Sequence, residues 1–249
     1  MRQFDVFVWG DEETLKCSKP TFEDPALGWF FGNDLNDNIN LSDAEWFVFA
    51  HSSITIDRDF LNDLAQAIEG FPMIDAFAPR IARRENKEAR ADIFLSGYLL
   101  HPGQGFSMLD EGASMQFVAA SFPALAVYSR RIVQRTGRFD DSLPMVVQFA
   151  DYSLRMYHAG GKMFSVPYLV ANTTYLNPDD FRQDIPETSF ILYKSLGFGV
   201  ALSYALHHPR YITKFLAGYK AFKEKREAAT LLSKLKADTL KKITYAKTK

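Results

Sequence analysis

The chain has 249 residues, of which 47% are hydrophobic and 14% aromatic, and its formal net charge is −1. This content suffices for a sizeable core and excludes a mostly disordered chain. The balanced charge excludes a nucleic-acid binder that works through its whole surface. Cys17 is the single cysteine, so no intramolecular disulfide can form, and the N-terminus lacks an apolar run of signal-peptide length. We therefore expect a cytoplasmic protein.

The N-terminal region begins with one strand signal. Apolar residues over positions 4–8 lead into a Gly-Asp-Glu turn at 10–12, which predicts a short strand beside which a nucleotide site could open. Residues 17–40 are rich in Asp, Asn, Gly and Pro. We expect mostly loop there, with little regular structure.

A strand, a loop and a helix follow in the next 25 residues. Residues 46–50 form a continuous apolar run, which is typical of a buried parallel strand. Asp57 and Asp59 offer capping carboxylates, and apolar residues then recur at helical spacing from residue 60 to 68 before Gly70. This pattern predicts one complete α/β unit.

The remaining elements of the first 188 residues continue the alternation. The charged stretch 83–92 indicates a surface loop or a frayed helix, and Ser129 is a candidate helix cap. Strands separated by helices predict a mainly parallel sheet with helices on both faces. The expected strands are at 76–81, 124–128 and 162–166, and the expected helices at 130–135 and 150–158.

The chain from residue 189 onward is predicted to be a helical extension of a domain that covers residues 1–188. Residues 190–206 are strongly apolar, but Lys194 and Gly197 interrupt them, so we expect a buried or interfacial helix rather than a membrane span. Between residues 210 and 249, twelve Lys and Arg residues stand against three acidic residues. Such a basic tail favours peripheral contact with an anionic membrane, the inner membrane face in a cytoplasmic protein; the alternative is a solvated charged surface.

Three blocks of sequence occur in an order that is similar to a known family. They are EWFVFAHSSI with DRDFL (45–61), AVYSRR with GRFDD (126–141), and DYSLR with AGGK and VP (151–167). Together they resemble the central strand, the acceptor-side loop and the following helix of family 2-like glycosyltransferases. The resemblance implies an α/β fold of the GT-A type.

The resemblance also implies a function. Family 2-like enzymes bind a nucleotide-diphosphate sugar, here expected to be UDP-linked, with Mn²⁺ or Mg²⁺, and transfer the sugar with inversion. In this chain His51-Ser52-Ser53 stands where the family has its metal-binding Asp-X-Asp motif. Three readings follow: a glycosyltransferase with an unknown acceptor, an inactive relative that binds nucleotide or sugar as a sensor or scaffold, or a structural protein that docks through its helical tail.

The candidate metal ligands are His51, Ser53 and Asp57. A hard cation prefers oxygen ligands, and an imidazole can also bind Mn²⁺. The structural alternatives are a hydrogen-bonded histidine at a strand end and a helix-capping aspartate. The candidate nucleotide contacts are Trp9, Asp11 and Asp34, because ligands gather at the carboxyl ends of strands. For these the alternatives are a partly buried aromatic ring and ordinary turn residues.

The candidate catalytic residues are Asp151, Asp140 and Asp141. A base on the acceptor side would deprotonate the incoming hydroxyl, although the position that the family assigns to this base falls on Phe149. The alternative for Asp151 is a helix carboxylate paired with Arg155. The chain has no Gly-rich phosphate loop and no Gly-X-Ser-X-Gly sequence, which disfavours kinases, Rossmann dehydrogenases and α/β-hydrolases.

Overall fold

The structure is a computed structural model of the chain. It describes residues 2–17, 19–84, 91, 93–101, 105–109, 115–181, 185–213 and 215–218.

Within those residues, twelve strands and seven α-helices are defined. The strands are β1 (Phe4–Trp9), β2 (Leu27–Phe31), β3 (Trp46–His51), β4 (Ala76–Phe77), β5 (Arg80–Arg83), β6 (Ile93–Leu95), β7 (Tyr98–His101), β8 (Gly105–Met108), β9 (Gln116–Phe117), β10 (Leu125–Ser129), β11 (Met163–Ser165) and β12 (Val170–Thr173). The helices are α1 (Glu12–Cys17), α2 (Leu35–Leu41), α3 (Arg58–Gly70), α4 (Arg130–Thr136), α5 (Met145–His158), α6 (Ile185–Leu196) and α7 (Phe198–His207). Short 3-10 helices lie at Pro178–Phe181 and Pro209–Tyr211.

The core of the molecule is a seven-stranded sheet in the order β2-β1-β3-β10-β4-β11-β9. Strands β2, β1, β3, β4 and β11 run in one direction, whereas β10 and β9 are antiparallel to their neighbours. The predicted α/β class with a mainly parallel sheet is therefore confirmed. Strand β10 is antiparallel to both of its neighbours, β3 and β4. Among the described residues between β4 and β10, the chain forms strands β5 to β9 and no α-helix.

The prediction of a mostly irregular segment at residues 17–40 is wrong. Strand β2 lies inside it and pairs in parallel with β1, and helix α2 follows. The Phe30 ring stacks on Phe7 with a centroid distance of 5.1 Å, and Phe7 is fully buried. Tertiary burial of this apolar patch overrides the turn-rich local composition.

The predicted helices are found, with one boundary error. Helix α3 begins after Asp57, whose Oδ1 accepts from the Phe60 amide at 3.0 Å. Ser129 caps α4 through the Ile132 amide, and Gly137 ends that helix with φ +83°. Helix α5 begins at Met145, five residues before the predicted start, because Pro144 precedes it. Part of the charged stretch 83–92, residues 85–90 and 92, lies outside the described residues.

The apolar segment 190–206 is divided between α6 and α7, and Gly197 lies at the break with φ +103°. Across the described part of the chain, no helix combines the length and the apolar character that a membrane crossing requires. The basic tail beyond residue 218 lies outside the described residues.

Candidate functional site

The connections of the sheet diverge at two adjacent parallel strands. From β1 the chain leads to β2 on one side, and from β3 it leads to β4 beyond β10 on the other. In open α/β sheets, ligands bind outside the carboxyl ends of strands at such a point. These ends are residues 9–11 and 51–53, which we call the switch-point end. The strand register pairs Trp9 with His51, so the structure brings two of the predicted site residues together.

Trp9 is enclosed by other aromatic rings at the switch-point end. Its indole stacks on Phe149 at 5.7 Å between centroids and meets His51 and Phe181 edge-on at 4.8 and 6.1 Å. The side chain is 5% exposed, and its Nε1 atom has no hydrogen-bond partner among the described residues. A buried donor without a partner is costly. The indole N–H of Trp9 is therefore an unsatisfied polar group at the switch-point end.

His51 is held by its neighbour Ser53. The Ser53 amide donates to His51 Nδ1 at 3.2 Å, and the Ser53 hydroxyl lies 2.8 Å from the same nitrogen. Burial lowers the pKa of His51, although the carboxylates of Asp11 and Asp180 act in the opposite direction. The ring is therefore neutral at pH 7. When Nδ1 accepts from the amide, Nε2 carries the proton; when Nδ1 donates to the hydroxyl, Nε2 is free to bind a cation.

The turn after β1 is fixed against the neighbouring segments. Asn33 accepts from the Gly10 amide at 3.0 Å and donates to the Gly10 carbonyl at 2.8 Å. On the other side, the Ser52 amide donates to the Trp9 carbonyl at 2.8 Å. A Cβ atom at Gly10 would lie only 2.5 Å from Ser52 Oγ, so a larger residue does not fit unless Ser52 moves. The position of the Trp9 and His51 backbone is therefore tightly specified.

Three predicted carboxylates act as helix caps in this structure. Asp11 accepts from the Thr14 amide and hydroxyl at the start of α1, and these hydrogen bonds lower the pKa of Asp11. Asp34 accepts from the Asp37 amide at 3.0 Å, and Asp57 caps α3. Their ligand roles remain predictions, since each carboxylate has a local structural function.

The described residues hold no group of three or more His, Cys, Asp or Glu side chains that could bind a metal ion. Of the three predicted metal ligands, His51 and Ser53 are in contact, whereas Asp57 accepts a hydrogen bond from the Phe60 amide at the start of α3. Within this predicted set, the ring nitrogen that could bind a cation is Nε2 of His51, since Nδ1 contacts Ser53. The hydroxyl of Ser53 is placed to orient that ring as a hydrogen-bond acceptor.

Residues that the sequence did not predict also contact the switch-point end. The Thr173 hydroxyl donates to the Ser53 carbonyl at 2.7 Å, and the Asn172 carbonyl accepts from the Thr55 amide at 2.8 Å. Further along, the Phe181 ring meets His51 edge-on at 5.0 Å. No sequence signal identifies these contacts, because they join residues about 120 positions apart.

Two of the three predicted acceptor-side carboxylates, Asp140 and Asp151, form a charge cluster around Lys194. Asp151 is fully buried; its Oδ2 accepts from Arg155 Nε at 2.7 Å, and its Oδ1 forms an ion pair with Lys194 Nζ at 3.0 Å. Lys194 also donates to Asp140 at 2.8 Å. Burial acts to raise the pKa of Asp140, but the hydrogen bond and charge of Lys194, aided by Ser142, lower it to about 2.

Asp141 and Phe149 lie in two different surroundings. Asp141 is exposed, and its Oδ1 accepts from Asn36 Nδ2 at 2.7 Å. Phe149 is fully buried and packs on Trp9 and Phe49. At the position where family 2-like enzymes are expected to have a base, this chain therefore has an apolar contact with the switch-point end. The Asp151–Arg155 pairing that the sequence suggested is present, while the catalytic roles of Asp140, Asp141 and Asp151 remain predictions.

No protein-family model and no curated protein sequence matches this chain. Several solved structures follow a similar chain path. Residues 1–349 of S. aureus TarS in complex with UDP-GlcNAc are 10% identical, with 97% of this chain and 81% of that chain covered and a TM-score of 0.49. GalNAc-T7 with UDP, GalNAc and Mn²⁺ is 10% identical, with 77% of this chain and 47% of that chain covered and a TM-score of 0.47. A197 from STIV is 11% identical, with 72% of this chain and 87% of that chain covered and a TM-score of 0.43.

At these identities and TM-scores the similarity concerns the path of the chain, and no residue role is transferred from it. The candidate site rests on this chain's own geometry.

Proposed function

We propose that this chain is a GT-A-like glycosyltransferase that binds a nucleotide-diphosphate sugar, UDP-linked, at the switch-point end and transfers the sugar to an acceptor. One observation carries the proposal: parallel strands β1 and β3 end side by side where the connections diverge, and Trp9 and His51 meet there. Ligand binding at this position is the general behaviour of open α/β sheets. The three family-like sequence blocks indicate which ligand class to test.

The proposed binding mode uses the side chains at the strand ends. The Trp9 indole N–H lacks a partner among the described residues and would donate to an oxygen of the donor substrate. The aromatic rings around it exclude water, which strengthens polar contacts with the bound sugar nucleotide. The backbone turn at Gly10 holds both strand ends in place through Asn33.

Mn²⁺ or Mg²⁺ is the proposed cofactor, and it would neutralise charge on the diphosphate leaving group. His51 would be its protein ligand, in the tautomer that donates from Nδ1 to the Ser53 hydroxyl. The remaining ligands would come from the diphosphate and water, because the described residues offer no cluster of three ligands. We assign no catalytic step to the metal.

Calorimetry with UDP, in the presence and absence of Mn²⁺ at millimolar concentration, tests the proposal. We expect heat of binding for the unmutated protein and weaker metal-dependent binding for His51→Ala. Ser53→Ala should reduce only the metal-dependent part. The absence of any UDP binding would contradict the nucleotide-sugar assignment.

Transfer is tested separately from binding. Hydrolysis of several UDP-sugars by the unmutated protein would support a transferase. UDP binding without hydrolysis or transfer would favour the inactive sensor or scaffold.

We also propose that the basic tail, residues 210–249, holds the protein at an anionic membrane surface where an acceptor is presented. Each Lys or Arg near such a surface contributes about 1 kcal/mol, so several together would suffice. Sedimentation with anionic vesicles should show binding that decreases with added salt. Equal binding to neutral and anionic vesicles would rule out this electrostatic mechanism.

A further inference from the structure

Residues 173–181, which begin at the last residue of β12, contact the switch-point end through both their first and their last residue. At the first end, the Thr173 hydroxyl donates to the Ser53 carbonyl at 2.7 Å. At the other end, the Phe181 ring is 4% exposed and packs against His51, Trp9 and Phe122. Residues 174–180 therefore lie between two contacts with the switch-point end.

The middle of the segment is held by its own contacts. Leu176 is 3% exposed, and its carbonyl accepts from an Arg83 guanidinium nitrogen at 3.4 Å. Asn177 accepts from the Asp179 amide through its side chain at 3.2 Å and from the Asp180 amide through its carbonyl at 3.1 Å. A loop with this many internal bonds presents its exposed groups in a defined orientation.

Tyr175 is the outward-pointing aromatic residue of this segment. It is 79% exposed, and among the described residues no ring contact, ion pair or hydrogen bond to its side chain is found. It follows Thr173 by two residues, so its Cα lies within about 7 Å of the Thr173 Cα. The phenol ring extends further still, so it can reach a group bound next to Ser53.

Single exposed apolar side chains are common on protein surfaces, and position distinguishes Tyr175 from the others. Leu41 and Met73 are exposed to a similar degree, at 72% and 71%. Leu41 is the last residue of α2, and Met73 follows α3; they precede β3 and β4, so they lie towards the amino ends of those strands. Tyr175 instead follows β12 and lies beside the carboxyl end of β3, where the ligand is expected.

We propose that Tyr175 is a stacking platform for the pyranose ring of a sugar bound at the switch-point end. The inference rests on the proposed function and extends it to a sugar subsite. A pyranose presents a flat face of C–H groups, which packs on the face of an aromatic ring, while its hydroxyls bond to polar groups around the rim. Asp179 and Asp180 on the same segment are exposed and supply hydrogen-bond acceptors. The sugar is the donor's transferred residue or a sugar of the acceptor.

The test compares the full chain with Tyr175→Ala, Tyr175→Phe and the control Tyr168→Ala. Tyr168 is 38% exposed and precedes β12, at the opposite end of that strand from Tyr175. The probes are UDP, UDP-glucose, UDP-GlcNAc, cellotriose and chitotriose, with affinities from calorimetry and saturation-transfer NMR. We expect Tyr175→Ala to weaken at least one sugar-containing probe by about threefold to tenfold, from the usual strength of an aromatic contact. UDP affinity should be unchanged, and Tyr175→Phe and Tyr168→Ala should behave as the unmutated protein.

The outcomes separate the two sources of the sugar. Weakened binding of the UDP-sugars alone identifies the donor sugar, and weakened binding of the trisaccharides alone identifies an acceptor sugar. If every sugar-containing probe binds Tyr175→Ala as well as it binds the unmutated protein, or if no probe gains affinity from its sugar, the subsite proposal is overturned. Failure of UDP binding with Tyr175-dependent trisaccharide binding would instead refute the proposed nucleotide site and leave the sugar subsite standing.

Discussion

Asp151→Asn is the substitution whose effect the structure specifies most clearly. Asp151 is fully buried between Arg155 and Lys194, and the Lys194 side chain is itself only 9% exposed. Removal of one partner from a buried ion pair typically costs 3–5 kcal/mol, because the remaining charge stays buried. In the variant, Lys194 retains its ion pair with Asp140, and Arg155 retains its hydrogen bond to the Arg138 carbonyl. We therefore expect a loss of stability at the lower end of that range, about 3 kcal/mol.

For a chain of this size, each 1 kcal/mol shifts the melting temperature by about 2–4 °C. The expected decrease for Asp151→Asn is therefore roughly 6–12 °C, measured by circular dichroism and checked by urea unfolding. Asp59→Asn is the matched control, because Asp59 is exposed in the first turn of α3 and should cost less than about 1 kcal/mol. A change of less than about 2 °C in Asp151→Asn would refute the ion-pair reasoning.

The same variant tests the predicted catalytic role of Asp151. A general base contributes about 10²- to 10⁴-fold to turnover, so its loss should appear well below the melting temperature, with UDP affinity retained. If Asp151 only stabilises the fold, activity should fall in proportion to unfolded protein. The double variant Asp151→Asn/Lys194→Met should cost less than the sum of the single changes, since the two side chains are in contact.

Four further predictions concern other residues of the structure. The pKa of Asp140 is lowered to about 2, so the contribution of its carboxylate to the free energy of unfolding is complete above about pH 4 and is lost as the pH falls towards 2. The free energy of unfolding of Asp140→Asn should therefore change less than that of the unmutated protein over that pH interval. Ser42→Ala removes a 2.6 Å hydrogen bond to the buried carboxylate of Asp5 and should cost about 2 kcal/mol in urea unfolding. Gly10→Ala should lower both UDP affinity and melting temperature, because its Cβ would meet Ser52 Oγ at 2.5 Å; normal UDP affinity would contradict the assigned turn geometry. Burial lowers the pKa of His51 below its ordinary value, so metal-dependent UDP binding should persist at pH 6.5 and decline only in more acidic buffer, where the ring becomes protonated.

The sequence by itself determined the features that depend on short-range patterns. The apolar run of β3, the periodic apolar face of α3 with its Asp57 cap, and the break at Gly197 were all readable from neighbouring residues. The Asp151–Arg155 pair was also readable, because residues four apart lie on the same face of a helix. The two strand ends at Trp9 and His51 were also readable as candidate site positions, whereas their adjacency was decided by the pairing of β1 with β3.

Only the tertiary structure decided the surroundings of these groups. Strand β2 forms in a turn-rich segment because Phe30 stacks on the Phe7 ring, and the local composition does not predict that contact. Lys194 meets Asp140 across 54 residues, and Thr173 meets Ser53 across 120. Contacts at such separations depend on how the whole chain packs, since no local pattern encodes which distant surface a side chain will face. For that reason the sequence predicted a site at the strand ends, and only the fold placed Thr173 and Phe181 against Ser53 and His51.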